Sequence, residues 1–183
     1  MKRNLNFLVV FAIALVITIS GCNDDDPVTP TPPPSTSEFV EITDSGSGTG
    51  TRTLYADTSY LLNGFVFVNE GQTLTIEAGS VIRAKSGQGE EATALIVARG
   101  GKINAEGTAT NPIIFTAEAD DLQGSVPDDN SGLWGGVIIL GAAQLNTVPS
   151  VQQIEGIPTN EPRGEYGGNN NQDNSGTLTY VSI

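Results

Sequence analysis

The sequence predicts an all-β domain wound as a right-handed parallel β-helix, and three observations carry that reading. The first is composition: 22 Gly and 10 Pro among 183 residues, a balance that favours turns over helices. The second is a series of short apolar runs, Phe65-Val66-Phe67-Val68, Leu74-Thr75-Ile76, Val81-Ile82, Leu95-Ile96-Val97, Ile113-Ile114-Phe115, Val137-Ile138-Ile139-Leu140 and Leu178-Thr179-Tyr180-Val181. They are rich in β-branched and aromatic residues, and most are bounded by Gly, Asn, Pro or Asp, as strands are. From Glu38 to Ile183 no ten-residue stretch keeps an apolar stripe at helical spacing, so almost no helix is expected there. The third is a direct repeat. FVFVNEGQTL (Phe65 to Leu74) aligns with ALIVARGGKI (Ala94 to Ile103), and GVIILGAAQL (Gly136 to Leu145) is a looser third copy, at offsets of 29 and 42 residues.

Repeats in one chain direction suggest stacked coils whose strands pair in parallel with those of neighbouring coils. Val68, Val97 and Ile139 then fall at one place in successive coils. Gly71 and Gly100, shared by the first two copies, fit a corner at positive φ, which other residues adopt at a cost. The larger second offset matches an inserted loop, Ala117 to Gly132. The rival architecture is an antiparallel β-sandwich in which Arg99-Gly100-Gly101-Lys102 makes a hairpin turn.

The first 37 residues lie outside this pattern. Lys2 and Arg3 precede an apolar run, Phe7 to Ile19, and then Ser20, Gly21 and Cys22. This is the layout of a secretory signal, residues 1–21, and thirteen apolar residues are too few to span about 30 Å of hydrocarbon. Residues 22–37 form an acidic and Pro/Thr-rich tether: Asn23, Asp24, Asp25 and Asp26, then PVTPTPPPSTS (Pro27 to Ser37), which favours extended polyproline II. Residues 38–183 make the β-helix domain.

Composition excludes several chemistries. The chain has no His and one Cys, so it cannot make a Ser-His-Asp triad, an imidazole metal site, an intrachain disulfide or a four-cysteine zinc site. Its net charge is −13, and removal of Lys2 and Arg3 with the signal makes it −15. That balance argues against nucleic acid as a partner.

Two resemblances add to these readings. Ile19-Ser20-Gly21-Cys22 resembles the lipobox of bacterial lipoproteins, which implies lipid on Cys22 and a permanent membrane anchor. The acidic residues after it resemble the export signal that Bacteroidota use for surface lipoproteins. Together they imply an outer-membrane location on the cell surface, with the periplasmic face as the alternative. TLTIEAGSVIRA (Thr73 to Ala84), ALIVARGGKINAEGTATNPIIFTA (Ala94 to Ala117), GLWGGVIILGAAQLN (Gly132 to Asn146), IEGIP (Ile154 to Pro158) and SGTLTYVSI (Ser175 to Ile183) resemble secreted or lipid-anchored bacterial β-helix proteins, mostly of unassigned function. Members of that group continue with further coils, so the domain is expected to be incomplete at its C-terminus, with an exposed β edge at Ile183.

Parallel β-helices commonly host pectate lyases and polygalacturonases, so the acids and bases of the chain bear testing. Asp120, Asp121, Asp128 and Asp129 cluster in the inserted loop, with Arg83, Lys85, Arg99 and Lys102 elsewhere as bases. Adjacent acids on a strand point to opposite faces, and no catalytic motif of those enzymes is present. Calcium is a better use of such oxygens: Asp128, Asp129 and Asn130 ahead of Gly132, and Asn171 and Asp173 ahead of Gly176, echo the first half of a calcium loop. Turns in which Asn and Asp bond their own backbone explain the same segments without metal. Trp134 and Tyr166 are candidate sugar-stacking platforms, with a core role as the alternative for Trp134. The sequence therefore favours a binding or scaffold protein of the cell envelope, not an enzyme, with a polysaccharide or an envelope protein as partner. The alternative is a calcium-dependent polysaccharide lyase or glycoside hydrolase of the pectin-lyase-like type.

Overall fold

The computed structural model describes residues 39–127 and 129–183, so Cys22, the tether and Asp128 lie outside the described residues. Of fourteen short strands among the described residues, twelve build a parallel β-helix of three sheets. The first sheet orders β1 (Val40–Ile42), β3 (Tyr60–Leu62), β6 (Val81–Ala84), β9 (Ile113–Ala117) and β14 (Val181–Ser182). The second orders β2 (Arg52–Leu54), β5 (Thr73–Ile76), β8 (Lys102–Glu106) and β13 (Gly176–Thr179), and the third β4 (Phe65–Val68), β7 (Ala94–Val97) and β10 (Val137–Ile139). Every pairing within these sheets is parallel. Among the described residues helix is limited to two 3-10 turns, Gly89–Glu91 and Pro162–Gly164.

The register reproduces the repeat. Val68 pairs with Val97 and Val97 with Ile139, while Leu74 pairs with Ile103. Gly71 and Gly100 turn the corner between the third and second sheets at φ 75° and 76°. The Gly100-Gly101 hairpin does not form, and the sandwich falls with it, because β7 and β8 belong to different sheets and each pairs in parallel with its counterparts in adjacent coils.

Two expectations need correction. The extra residues before the third copy are shared between two corners. Val81 pairs with Ile114, an offset of 33 that places four inserted residues before β9, and the rest of the rise to 42 falls between β9 and β10. The third copy itself ends at Leu140: Ala142 to Leu145 are not a strand, and Gly176 of β13 pairs with Ile103 in their stead. Between β10 and β13 the chain makes an excursion, residues 140–175, carrying an antiparallel pair, β11 (Val151–Gln153) with β12 (Glu165–Gly167).

That excursion explains the two kinds of strand in the sequence. In the first and second sheets apolar and polar residues alternate: Leu74 and Ile76, Ile82 and Ala84, Ile103 and Ala105, and Ile113 and Phe115 point inward and are buried. Their polar neighbours face outward, as one-sided strands require. In the third sheet both faces are covered. Val66, Val68, Leu95 and Val97 fill the interior, whereas Phe67, Ala94, Ile96 and Ala98 face outward into a second apolar cluster with Leu140 and Ile157 of the excursion. FVFV and ALIV are continuous because they are buried twice.

Candidate functional site

The excursion does not seal against the coils along its whole length. Where it passes the corner between the third and second sheets it leaves an open cleft of about 440 Å³, walled by Glu70, Arg99, Arg163, Glu165, Asn170 and Asp173 over a floor that includes Ala98, Gly100 and Ala142. Glu70 and Arg99 sit one before Gly71 and Gly100 in adjacent coils, so the repeat itself stacks them. Gly100 lacks the Cβ that would come within 2.9 Å of the Glu70 side chain, and Glu70 lies against it.

Arg163 organises one wall. Its guanidinium stacks on the outward Phe67 ring at 4.0 Å. It donates through Nη1 to Asp44 Oδ2 at 2.6 Å and to Asn69 Oδ1, and through Nε and Nη2 to the two oxygens of Glu161 at 2.8 and 2.6 Å. Asp44 has a side chain only 1% exposed and is fully satisfied: Oδ1 accepts the Gly46 and Gly48 amides at 2.7 and 2.9 Å, and Oδ2 the Phe67 amide at 3.3 Å. Burial alone would raise the Asp44 pKa; the Gly48 and Gly46 amides and Arg163 outweigh it and hold the carboxyl below its ordinary value. Arg163 likewise lowers the Glu161 pKa, chiefly through hydrogen bonding, and Glu161 with Asp44 raises that of Arg163. The opposite wall is Arg99, whose Nη2 donates to Glu165 at 2.5 Å and whose Nη1 donates to the Gly167 carbonyl at 3.2 Å. Arg163 and Arg99 therefore pin the two ends of a segment of the excursion to the coils.

The residues singled out from sequence are dispersed. Asp173 lines this cleft, where its Oδ2 accepts the Ala142 amide at 2.9 Å, and Asn171 accepts the Gln144 amide at 3.0 Å. Asp129 and Asn130 are exposed on the loop between β9 and β10, far along the chain and at a different corner. Among the described residues no group of three or more acidic or sulfur ligands is placed to hold a metal ion. Asp120 and Asp121 are turn formers, accepting the Leu122 and Gln123 amides; the Gln123 amide is the main reason the Asp121 pKa is lowered. The four candidate bases are also scattered: Arg83 donates to the Asp120 carbonyl, Lys85 pairs with Glu41, Lys102 is exposed on the second sheet, and Arg99 alone reaches the cleft.

Trp134 is half-buried and stacks on Phe115 with ring centroids 6.5 Å apart, packed against the interior cluster. Its exposed margin lines a smaller hollow of about 260 Å³ with Leu133 and Val126. Tyr166 packs against the outer apolar cluster and lines a third hollow with Gln152 and Asn146. Sequence reasoning missed Glu70, Asp44, Glu161, Arg163 and Glu165. Asp44 and Arg163 are 119 residues apart, and no local spacing announces such a pair. Only the Glu161-Pro162-Arg163 string carries a local signal, a capping acid before a Pro-initiated turn.

A family model described as a pectate-lyase-like beta helix domain matches residues 46–183. No curated protein and no solved structure gives a significant match. The matched span begins just before β2 and includes the second and third sheets, the first sheet apart from β1, both corner glycines and the excursion, so the chain belongs to the family of pectate-lyase-like β-helix domains.

Proposed function

We propose that the chain is a lipid-anchored binding module of the cell envelope, displayed on the outer-membrane surface, whose excursion cleft holds a glycan without net negative charge. The observation that carries the reading is the state of the cleft's charged groups: Arg99 and Arg163 are each tied to carboxylates. Such a wall offers fixed hydrogen-bonding groups for sugar hydroxyls and leaves neither guanidinium unpaired to draw a polyanion. Titration calorimetry of the detergent-extracted protein against neutral, acidic and amino oligosaccharides tests it. Binding lost on Glu165→Ala but kept on Trp134→Ala supports the cleft, and the reverse pattern moves the site to the Trp134 hollow.

The anchor is supported by the Ile19-Ser20-Gly21-Cys22 string after a short apolar run. Mass spectrometry of membrane-extracted protein is expected to find diacylated Cys22 at the N-terminus, and an intact Met1 or a bare Cys22 thiol refutes it. The family description favours one second reading, a calcium-dependent polysaccharide lyase or hydrolase using the acids around Asp129 or Asp173. Release of unsaturated or reducing ends from a polysaccharide, dependent on calcium and lost with Asp129→Ala or Asp173→Ala, would put that reading first.

A further inference from the structure

The two ends of the β-helix differ, and the difference centres on one arginine. In β2, Arg52 falls on the same face of the strand as the buried Leu54. It is in register with Leu74 of the next coil and, through it, with Ile103 of the coil after that, both buried in the interior. An arginine therefore stands where the following coils place aliphatic residues. Its Nε is buried and has no hydrogen-bond partner, a condition that costs stability and that native interiors seldom tolerate. We propose that Arg52 is a guard residue: it keeps the N-terminal end of the β-helix from accepting the C-terminal end of a second copy of this chain as a further coil.

The strand edges otherwise invite that addition. Among the described residues β1 and β2 each pair on one side only, and at the opposite end β10, β13 and β14 do the same. The inward positions of that opposite end are apolar: Ile139 is in register with Val97 and Leu178 with Ala105, yet they are 41% and 42% exposed. Contact between unlike ends would extend the sheets in parallel, and such contact does not close but grows into a fibre. The N-terminal end sets three obstacles against it. β1 and β2 are only three residues long. The edge of β4 is covered by the segment before β2, where Asp44 Oδ2 accepts the Phe67 amide and the Thr49 amide donates to the Phe67 carbonyl. The third obstacle is Arg52, at the mouth of the interior itself. Its guanidinium would be trapped against the inward apolar face of an incoming β13, and an unpaired charge is costly to bury there. The orphaned Nε then has a cause, since stability is given up at this position to keep the end closed.

Sedimentation and the melting temperature of the full, detergent-extracted protein, measured together, separate a guard from a structural support. Arg52→Leu is expected to associate at a concentration about tenfold below that of the parent, whereas Arg52→Lys should sediment as the parent does. At dilutions where it is monomeric, Arg52→Leu should melt roughly 2–4 °C higher, because an unsatisfied donor is gone and an apolar side chain joins the interior. Leu178→Lys at the opposite end should abolish the association of Arg52→Leu. The double variant should still melt above Leu178→Lys alone by the same margin. An Arg52→Leu protein that stays as dispersed as the parent, or that melts below it, overturns the proposal. Association that survives Leu178→Lys does the same, as does a parent that associates as readily as the variant.

Discussion

Replacing Arg163 by Ala removes the group that fastens the excursion to the coils, and the cost can be worked from its contacts. The buried Asp44 keeps its three amide donors but loses its cationic partner. Stripping one partner from a fully buried pair costs about 3–5 kcal/mol. Here the Arg163 and Glu161 side chains remain 23% and 25% exposed, so water takes over part of the interaction and the pair loss falls to about 1–2 kcal/mol. The stack on Phe67 adds about 1 kcal/mol. The total, about 2–3 kcal/mol, should lower the melting temperature by roughly 5–10 °C in a domain of this size. Calorimetry measures that, and amide hydrogen exchange locates it: protection should fall in residues 140–175 before it falls in β5 or β8. Lys85→Ala, which breaks an exposed pair with Glu41, is the control and should leave the melting temperature nearly unchanged. An Arg163→Ala protein as stable as that control, or with unchanged exchange in the excursion, refutes the reasoning.

Three further tests follow from the same geometry. Ile103→Ala, at a site with no exposure, should cost about 2–5 kcal/mol in urea unfolding, whereas Thr75→Ala on the outward face of the same sheet should stay within about 0.5 kcal/mol of the parent. Gly100→Ala meets both a φ of 76° and the Glu70 side chain, so it should cost about 1–2 kcal/mol and disturb the cleft; Gly71→Ala, with the same φ and open space around it, should cost about 1 kcal/mol. Asp44 and Glu161 have folded pKa values below their ordinary 3.8 and 4.5, so their contribution is complete above those ordinary values and is lost as pH falls through the lowered ones. Acid titration of the melting temperature should therefore show a decline below about pH 4.5 that Arg163→Ala flattens, and an unchanged acid limb would deny the linkage.

Much of the coil architecture was legible because it is local and repeated. Within one coil the strands, the corner glycines and the alternation of TLTI and VIRA are set by the pleat and by the cost of positive φ, and a 29-residue offset carries those constraints into the next coil. The third copy misled beyond Leu140 because its resemblance rests on small and apolar residues. GAAQL can extend a coil or leave it, and what decides is a contact made 31 residues later, when Asp173 takes the Ala142 amide. The continuous runs of the third sheet were visible, but their cause was not. An unbroken apolar strand states that both faces are covered without saying by what, and here the cover is Leu140 and Ile157 of the excursion.

The cleft was the least legible part, for a reason rooted in how the charges are used. A site announced by sequence has its groups close together, as Asp128 and Asp129 are, yet local clusters of Asp and Asn on loops are consumed by the turns they form: Asp120, Asp121, Asn170 and Asn174 each accept an amide two residues on. The groups that line the cavity come from two corners of adjacent coils and from both ends of the excursion. Glu70 and Arg99 are brought together by the register of parallel strands, and Arg163 and Glu165 arrive because the outward apolar face of the third sheet must be covered. One hydrophobic requirement thus produces the cleft: burying Phe67 and Ile96 calls for the excursion, the excursion places Arg163 on the Phe67 ring, and Asp44 and Glu161 absorb its charge.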